Sequence, residues 1–233
     1  MKKQFKIFVI IAIMLNYSCS TSDDNTTTGT GEGEVTIQAS YRVTFEPNFV
    51  EQFHPNDYPN DATFIKPFIV AHSSATSIFK LGSFASSGLK LYTEDGDSSE
   101  LVTEHTQVED NVKPTTIVQG TSDVGPIEAK VYTINVTPDK TLISFITKIS
   151  PSPDWFLGLD SFDIVKSDNT LVESISFELF AHDAGTEDGD TYISANVSEN
   201  KAIVLRTGLP LSNTANETGK SLGKLTIERI NNN

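Results

Sequence analysis

An antiparallel β-sandwich of about eight strands is the fold this sequence predicts, and three observations predict it. Apolar and polar residues alternate with period two in several short stretches, clusters of Asn, Asp, Gly and Pro separate those stretches, and no segment keeps a helical period for long. The 233 residues have room for one domain of the all-β size, and no internal repeat divides them.

The elements follow in chain order. Tyr41, Val43 and Phe45 alternate with Arg42, Thr44 and Glu46 in a strand that stops at Pro47. Phe53 to Asp61, with two prolines and four Asn or Asp residues, is a turn-rich loop. Phe64 to Val70 is an apolar strand interrupted by Pro67, which predicts an edge or a bulge. From Ser77 to Asp110 neither period holds; a short helix over 98–105 is expected, capped by Ser98 or Ser99 with Glu100 in its first turn. Tyr132 to Val136, the turn Thr137-Pro138-Asp139-Lys140 and the apolar run Leu142 to Ile149 are expected to form a hairpin. Phe162 to Val165, Ile175 to Phe180, Ala202 to Arg206 and Leu222 to Ile230 supply the remaining strands.

Two acidic turns stand out. Pro151-Ser152-Pro153-Asp154-Trp155 follows the apolar run, and His182-Asp183-Ala184-Gly185-Thr186-Glu187-Asp188-Gly189 follows the strand in which Ile175, Phe177 and Leu179 share a face. The turns are expected to meet and bind a hard cation such as calcium, which takes six to eight oxygens at ~2.3–2.6 Å. Carboxylates brought together without a counter-charge repel and are pushed toward protonation, and a divalent ion removes that conflict. The competing reading has Asp183 capping its own turn while Glu187, Asp188 and Asp190 are solvated. Gly185 permits a tight turn.

The first residues read as an export signal: Lys2, Lys3 and Lys6, then the apolar run Ile7 to Leu15, then Ser18-Cys19. That run of about nine residues is short of the ~20 a membrane-spanning helix needs. Cys19, the single cysteine, resembles the lipidated residue of a bacterial lipobox, although Leu15 lies one place upstream of the commonest pattern and Tyr17 is bulky; a plain secretory signal is the alternative. The organisation is then 1–19 lipoprotein signal, 20–34 flexible acidic Thr/Gly linker and 35–233 one domain, with the membrane reached through the lipid anchor alone. Asp23 and Asp24 resemble the acidic tags that take some lipoproteins to the outer face. Losing Lys2, Lys3 and Lys6 takes the formal charge from −14 to −17, and without a Lys/Arg cluster nucleic acid is excluded as a partner.

Tyr41-Arg42-Val43-Thr44-Phe45, His54-Pro55 with Tyr58-Pro59, Phe64 through His72, Ser150 through Gly158, Asp183-Ala184-Gly185-Thr186 and Thr226 through Ile230 together resemble the spondin domain of the F-spondin family and of bacterial exported proteins. The resemblance covers residues 41–230. It implies a sandwich related to calcium- and lipid-binding sandwiches, with one calcium ion held by end loops. Carried across, its ligands are Asp154, Asp183 and Glu187. Glu187 departs from the family's aspartate; its extra methylene moves the carboxylate by about 1.5 Å, or hands the role to Asp188. The cysteines of the animal members are missing here.

Other chemistries find little support. The loop from Asp183 has Gly185 third and Asp188 sixth, unlike an EF-hand, and His54, His72, His105 and His182 are scattered without zinc-ligand spacing. His54 and His72 are expected to be hydrogen-bonded loop or core residues, and Trp155 to pack on the sandwich end. Glu94-Asp95-Gly96-Asp97 reads as an exposed turn. No nucleophile elbow, phosphate loop or His-Glu-x-x-His motif is present, so no catalytic residue is assigned. The resulting expectation is a calcium-binding adhesion or binding lipoprotein of the outer membrane or cell surface, not an enzyme, whose partner is an extracellular or envelope protein or a glycan. The alternatives are a glycan-binding accessory lipoprotein and a metal-dependent hydrolase.

Overall fold

The computed structural model describes residues 38–106, 116–211 and 220–230; Cys19, the signal and the linker lie outside them. Thr36–Asn233 forms one compact unit. Its strands are β1 (Ala39–Pro47), β2 (Thr63–Phe64), β3 (Phe68–His72), β4 (Thr116–Gln119), β5 (Lys130–Val136), β6 (Leu142–Ser150), β7 (Trp155–Asp163), β8 (Ser174–Leu179), β9 (Ala181–Asp183), β10 (Glu187–Asp188), β11 (Val197–Ser198), β12 (Val204–Leu205) and β13 (Gly223–Ile230), with helices α1 (Ser87–Asp95) and α2 (Ser99–Thr106) between β3 and β4. The strand pairs are antiparallel, as the sandwich prediction requires. The count exceeds eight because several strands are two-residue pairings too short to leave a periodic signal.

One large sheet has the order β5-β1-β13-β8 and the other runs β12-β9-β7-β6-β3-β4, with β2 also on β6; β10 and β11 form a separate two-stranded sheet. Between the two large sheets lies the main core, built from Tyr41, Val43 and Phe45 of β1, Leu225 and Ile227 of β13, Ile69 of β3, and Ile143 and Phe145 of β6. The larger sheet is covered on its outer face as well, where Phe68, Val70, Ile146 and Phe156 pack against Leu89 and Tyr92 of α1 and Leu101 of α2. Both faces of β3 and β6 are therefore buried, which is why their sequences read as continuous apolar runs. At this joint Gly88 lies so close to α2 that a β-carbon on it would sit 2.7 Å from the Leu101 nitrogen.

Two expectations need correction, and two that left alternatives open are narrowed. β5 and β6 are not a hairpin: β5 pairs with β1, whereas β6 pairs with β3 and β7. The turn between them is real, with Lys140 N–H donating to Thr137 O at 2.9 Å, but it carries the chain from one sheet to the other. The strand from Ile175 likewise does not continue to the acidic loop, because β8 pairs with β13 and β9 with β7, so the chain changes sheets at Phe180. Pro67 marks a bulge, not an edge: Phe64 faces Ile149 and Phe68 faces Ile146, so the segment carrying Pro67 holds one residue more than the facing stretch of β6, and β3 is flanked by β6 and β4. Helix α2 is where the sequence placed it, and Ser98 holds the N-cap position, its carbonyl accepting the Val102 N–H at 2.9 Å; the side chain that satisfies the first turn is Asp97, whose Oδ1 accepts the Ser99 N–H at 2.8 Å. Helix α1 was not foreseen; it is capped by Ser86 and ends at Gly96, whose φ is 75°.

Candidate functional site

The two acidic turns do meet, and the contact is made by Asp154. This residue closes the β6–β7 loop and is fully buried. Its Oδ2 accepts hydrogen bonds from the backbone N–H of Thr186 at 2.7 Å and of Glu187 at 3.1 Å, with the Thr186 hydroxyl at 3.3 Å. Its Oδ1 is buried with no hydrogen-bond partner.

Each loop is held in shape by its own residues. Ser152 donates its hydroxyl to Ile149 O at 2.6 Å and accepts the Trp155 N–H at 3.2 Å. In the second loop Asp183 Oδ1 accepts the Gly185 N–H at 2.9 Å, so Asp183 caps its own turn. Gly185 has φ 70°, and a β-carbon there would sit 2.4 Å from Lys201 O. Its carbonyl accepts the Lys201 N–H at 2.8 Å, and Thr186 O accepts Glu199 N–H at 2.9 Å. Both the turn and the close approach need glycine.

Glu187 and Asp188 alternate in β10: Glu187 is buried and Asp188 exposed, the latter 3.9 Å from the Lys201 ammonium. Asp183 lies opposite Trp155 in the β7–β9 register, one place from Asp154. Among the described residues no group of three or more His, Cys, Asp or Glu side chains is gathered to hold a metal ion. Asp154 instead lies within electrostatic reach of each of the other two carboxylates.

The electrostatics bear the mark of confined negative charge. Burial, and then the neighbouring Asp154, push the Asp183 carboxyl up to about 6. Burial raises Asp154 against the two amides that hydrogen-bond it, and Glu187 is raised by burial and then by Glu94.

The sequence reading missed Lys148. Along β6 the side chains alternate, and Lys148 shares the outer side with Ile146, beneath α1. Its buried ammonium donates to Thr93 O, to Ser152 O at 3.1 Å and to Pro153 O at 3.0 Å. Burial brings it down to about 8, a shift opposed by Asp154, Glu187, Asp95 and Glu94. The Glu94–Asp97 run is therefore the joint between the two helices, and its first two residues contribute charge to this site. Lys148 could have been noticed as a cation inside an otherwise apolar strand.

Trp155 is fully buried, as expected, with Tyr192 edge-on at 5.5 Å and the Arg206 guanidinium 4.6 Å from its ring centre. All four histidines are buried. His72 bonds Ser73 O and Ser144 Oγ, both at 2.8 Å, and His182 stacks on Phe156 at 5.1 Å.

Fold and site define an antiparallel β-sandwich domain whose end loops bring together the buried Asp154 and the segment that carries the half-buried Asp183 and the buried Glu187. The family model described as Spondin_N matches residues 39–214, and the chain belongs to that family. It is 33% identical over 165 residues to rat Spondin-1, 32% to human Spondin-1 and 31% to rat Spondin-2. Each match covers 68% of this chain, 20% of either Spondin-1 and 49% of Spondin-2. The chain thus spans about a fifth to a half of the curated relatives it matches. Among the described residues no helix is long and apolar enough to cross a membrane.

Proposed function

We propose that this domain is a non-enzymatic extracellular binding module, carried on the bacterial outer membrane by lipidated Cys19, whose end loops are clamped by one calcium ion. The carrying observation is Asp154 Oδ1, a buried carboxylate oxygen without a partner at the junction of the two loops. A buried anionic oxygen left unpaired is costly, and a cation is the group that satisfies it. Asp183, held at about 6, and the raised Glu187 would be the other two donors. When bound, calcium supplies positive charge that keeps all three carboxylates ionised. Asp154 fastens the loops through the Thr186 and Glu187 amides, while Lys148 neutralises the side facing α1.

Thermal unfolding in chelator and in millimolar calcium tests the clamp, since a ligand bound to the folded state raises stability by mass action. A rise in melting temperature that is lost in Asp154→Asn supports it; identical curves in both buffers refute it. The anchor is tested by membrane fractionation: Cys19→Ala should move the protein to the soluble fraction, and an unchanged distribution would remove the anchor.

A further inference from the structure

Beside the clamp is a cleft of about 510 Å³. It is lined by Asp57, Tyr58, Pro59 and Asp61 of the segment between β1 and β2, by Tyr192 and Ile193, and by Pro151. Both metal-loop segments build it, because Pro151 leads into Asp154 and Thr191–Ile193 follow β10. Ile193 is 85% exposed, an apolar side chain presented to solvent at the rim. Asp57 and Asp61 are exposed and have neither ion pair nor side-chain hydrogen bond among the described residues. Tyr192 is 4% exposed, and its hydroxyl is buried without a partner, within electrostatic reach of Tyr58 and Asp57.

We propose that this cleft binds a peptide segment carrying a lysine or arginine next to an apolar residue, the cation between Asp57 and Asp61 and the apolar side chain against Ile193 and Pro59. The inference rests on the binding-module reading and names its site and ligand class. Charge decides against an anionic ligand: no basic side chain lines this cleft, and Arg206 of the adjoining one is already tied to Asp190 Oδ1 at 2.9 Å and Leu209 O at 3.2 Å. Ring exposure decides against a sugar. Tyr192 is buried, and Tyr58 is half-buried with its hydroxyl donated to Phe49 O at 2.8 Å and its ring in T-shaped contact with Phe49 at 5.1 Å, so the cleft lacks the fully exposed ring on which a sugar stacks. A cationic side chain suits unpaired carboxylates at a rim, where complementary charge steers encounter and selects partners. The Tyr192 hydroxyl supplies a hydrogen bond once the ligand enters.

The test titrates the mature domain with fluorescein-labelled Gly-Leu-Lys-Gly and Gly-Leu-Glu-Gly, read by anisotropy and by the emission of Trp155, which touches Tyr192. The lysine peptide should bind and the glutamate peptide should not. Asp57→Asn with Asp61→Asn should weaken binding by about tenfold, the size expected for two partly exposed pairs. Glu100→Gln with Glu178→Gln, an equal change in net charge elsewhere, should leave it unchanged. Tyr192→Phe should keep the fold and weaken binding severalfold. Equal losses in the two double variants, no discrimination between peptides, or binding of neutral maltohexaose in place of the lysine peptide each overturns the proposal. Repeating the titration in chelator and in calcium separates the two readings: peptide binding without any calcium response leaves the cleft and removes the clamp, and the converse removes the cleft alone.

Discussion

Asp154 receives the backbone N–H of Thr186 at 2.7 Å across 32 residues of sequence, and this bond fastens one end loop of the sandwich to the other. Asp154→Ala leaves two buried amides without an acceptor and should destabilise the fold by about 2–4 kcal/mol. Asp154→Asn keeps one acceptor oxygen, so it should cost less while still abolishing the response to calcium. Chemical denaturation of both variants checks this. Equal losses for Ala and Asn would mean that the amide bonds contribute nothing separable.

Gly185 and Gly82 separate two costs. Both have positive φ, 70° and 82°, but a β-carbon at Gly185 meets Lys201 O at 2.4 Å, whereas at Gly82 nothing lies within 4 Å. Gly82→Ala should cost about 1 kcal/mol, from the left-handed backbone alone. Gly185→Ala adds a clash with main chain and should cost about 3 kcal/mol. It should also weaken calcium binding, because the carbonyls of this loop would shift. Urea unfolding of the two variants gives the comparison, and similar midpoints would contradict it.

The difference between legible and illegible features lies in how local each signal is. The alternation in Tyr41–Phe45 records a half-buried strand directly, and the β1–β13 pairing of Val43 with Ile227 joins two segments recognisable from their patterns. Sheet membership is not local. Thr137–Lys140 has the residues of a hairpin turn, and nothing in them says that Val136 and Leu142 leave for different sheets. Phe180 hides a similar crossing inside one apolar run. At the site the meeting of the two acidic turns was legible from their charge, whereas Asp154 and Asp183 as ligands rest on the resemblance. Lys148 was not, because its role depends on α1 lying over the outer face of β6, and α1 itself is weakly periodic. The β10 register buries Glu187 and exposes Asp188, a difference that residue type alone does not carry.

Lys148 should be the most sensitive single residue of this end. Lys148→Met removes the donor that the Pro153 carbonyl has among the described residues and strips buried counter-charge from Asp154 and Glu187. Breaking one side of a buried charge arrangement typically costs about 3–5 kcal/mol, and a loss toward the lower figure is expected because the methionine stem retains the packing. With the ammonium gone, added calcium should recover more melting temperature in the variant than in the parent. A smaller calcium response in Lys148→Met would show that the lysine organises the ion site instead of competing with it.

Asp183 gives the clamp a pH signature with a definite sign. Its carboxyl is near 6 in the folded chain against 3.8 for the unperturbed group. Between those values the folded state keeps a proton that the unfolded state has released, so this group's contribution to stability falls as pH rises from about 4 to 6. Without calcium, Asp183→Asn should therefore be more stable than the parent at pH 7, by up to about 3 kcal/mol, and the gain should vanish near pH 4. The buried histidines titrate in the opposite sense, His182 being held down at about 4, but they are common to both proteins and cancel in the difference. Calcium selects the ionised carboxylate, so at saturating calcium and pH 7 the order should invert, with the parent the more stable. Paired urea titrations at pH 4 and 7, each in chelator and in calcium, measure the four differences. A parent-to-variant gap that stays constant with pH in chelator would place the Asp183 proton elsewhere, and a gap that calcium does not invert would remove Asp183 from the clamp.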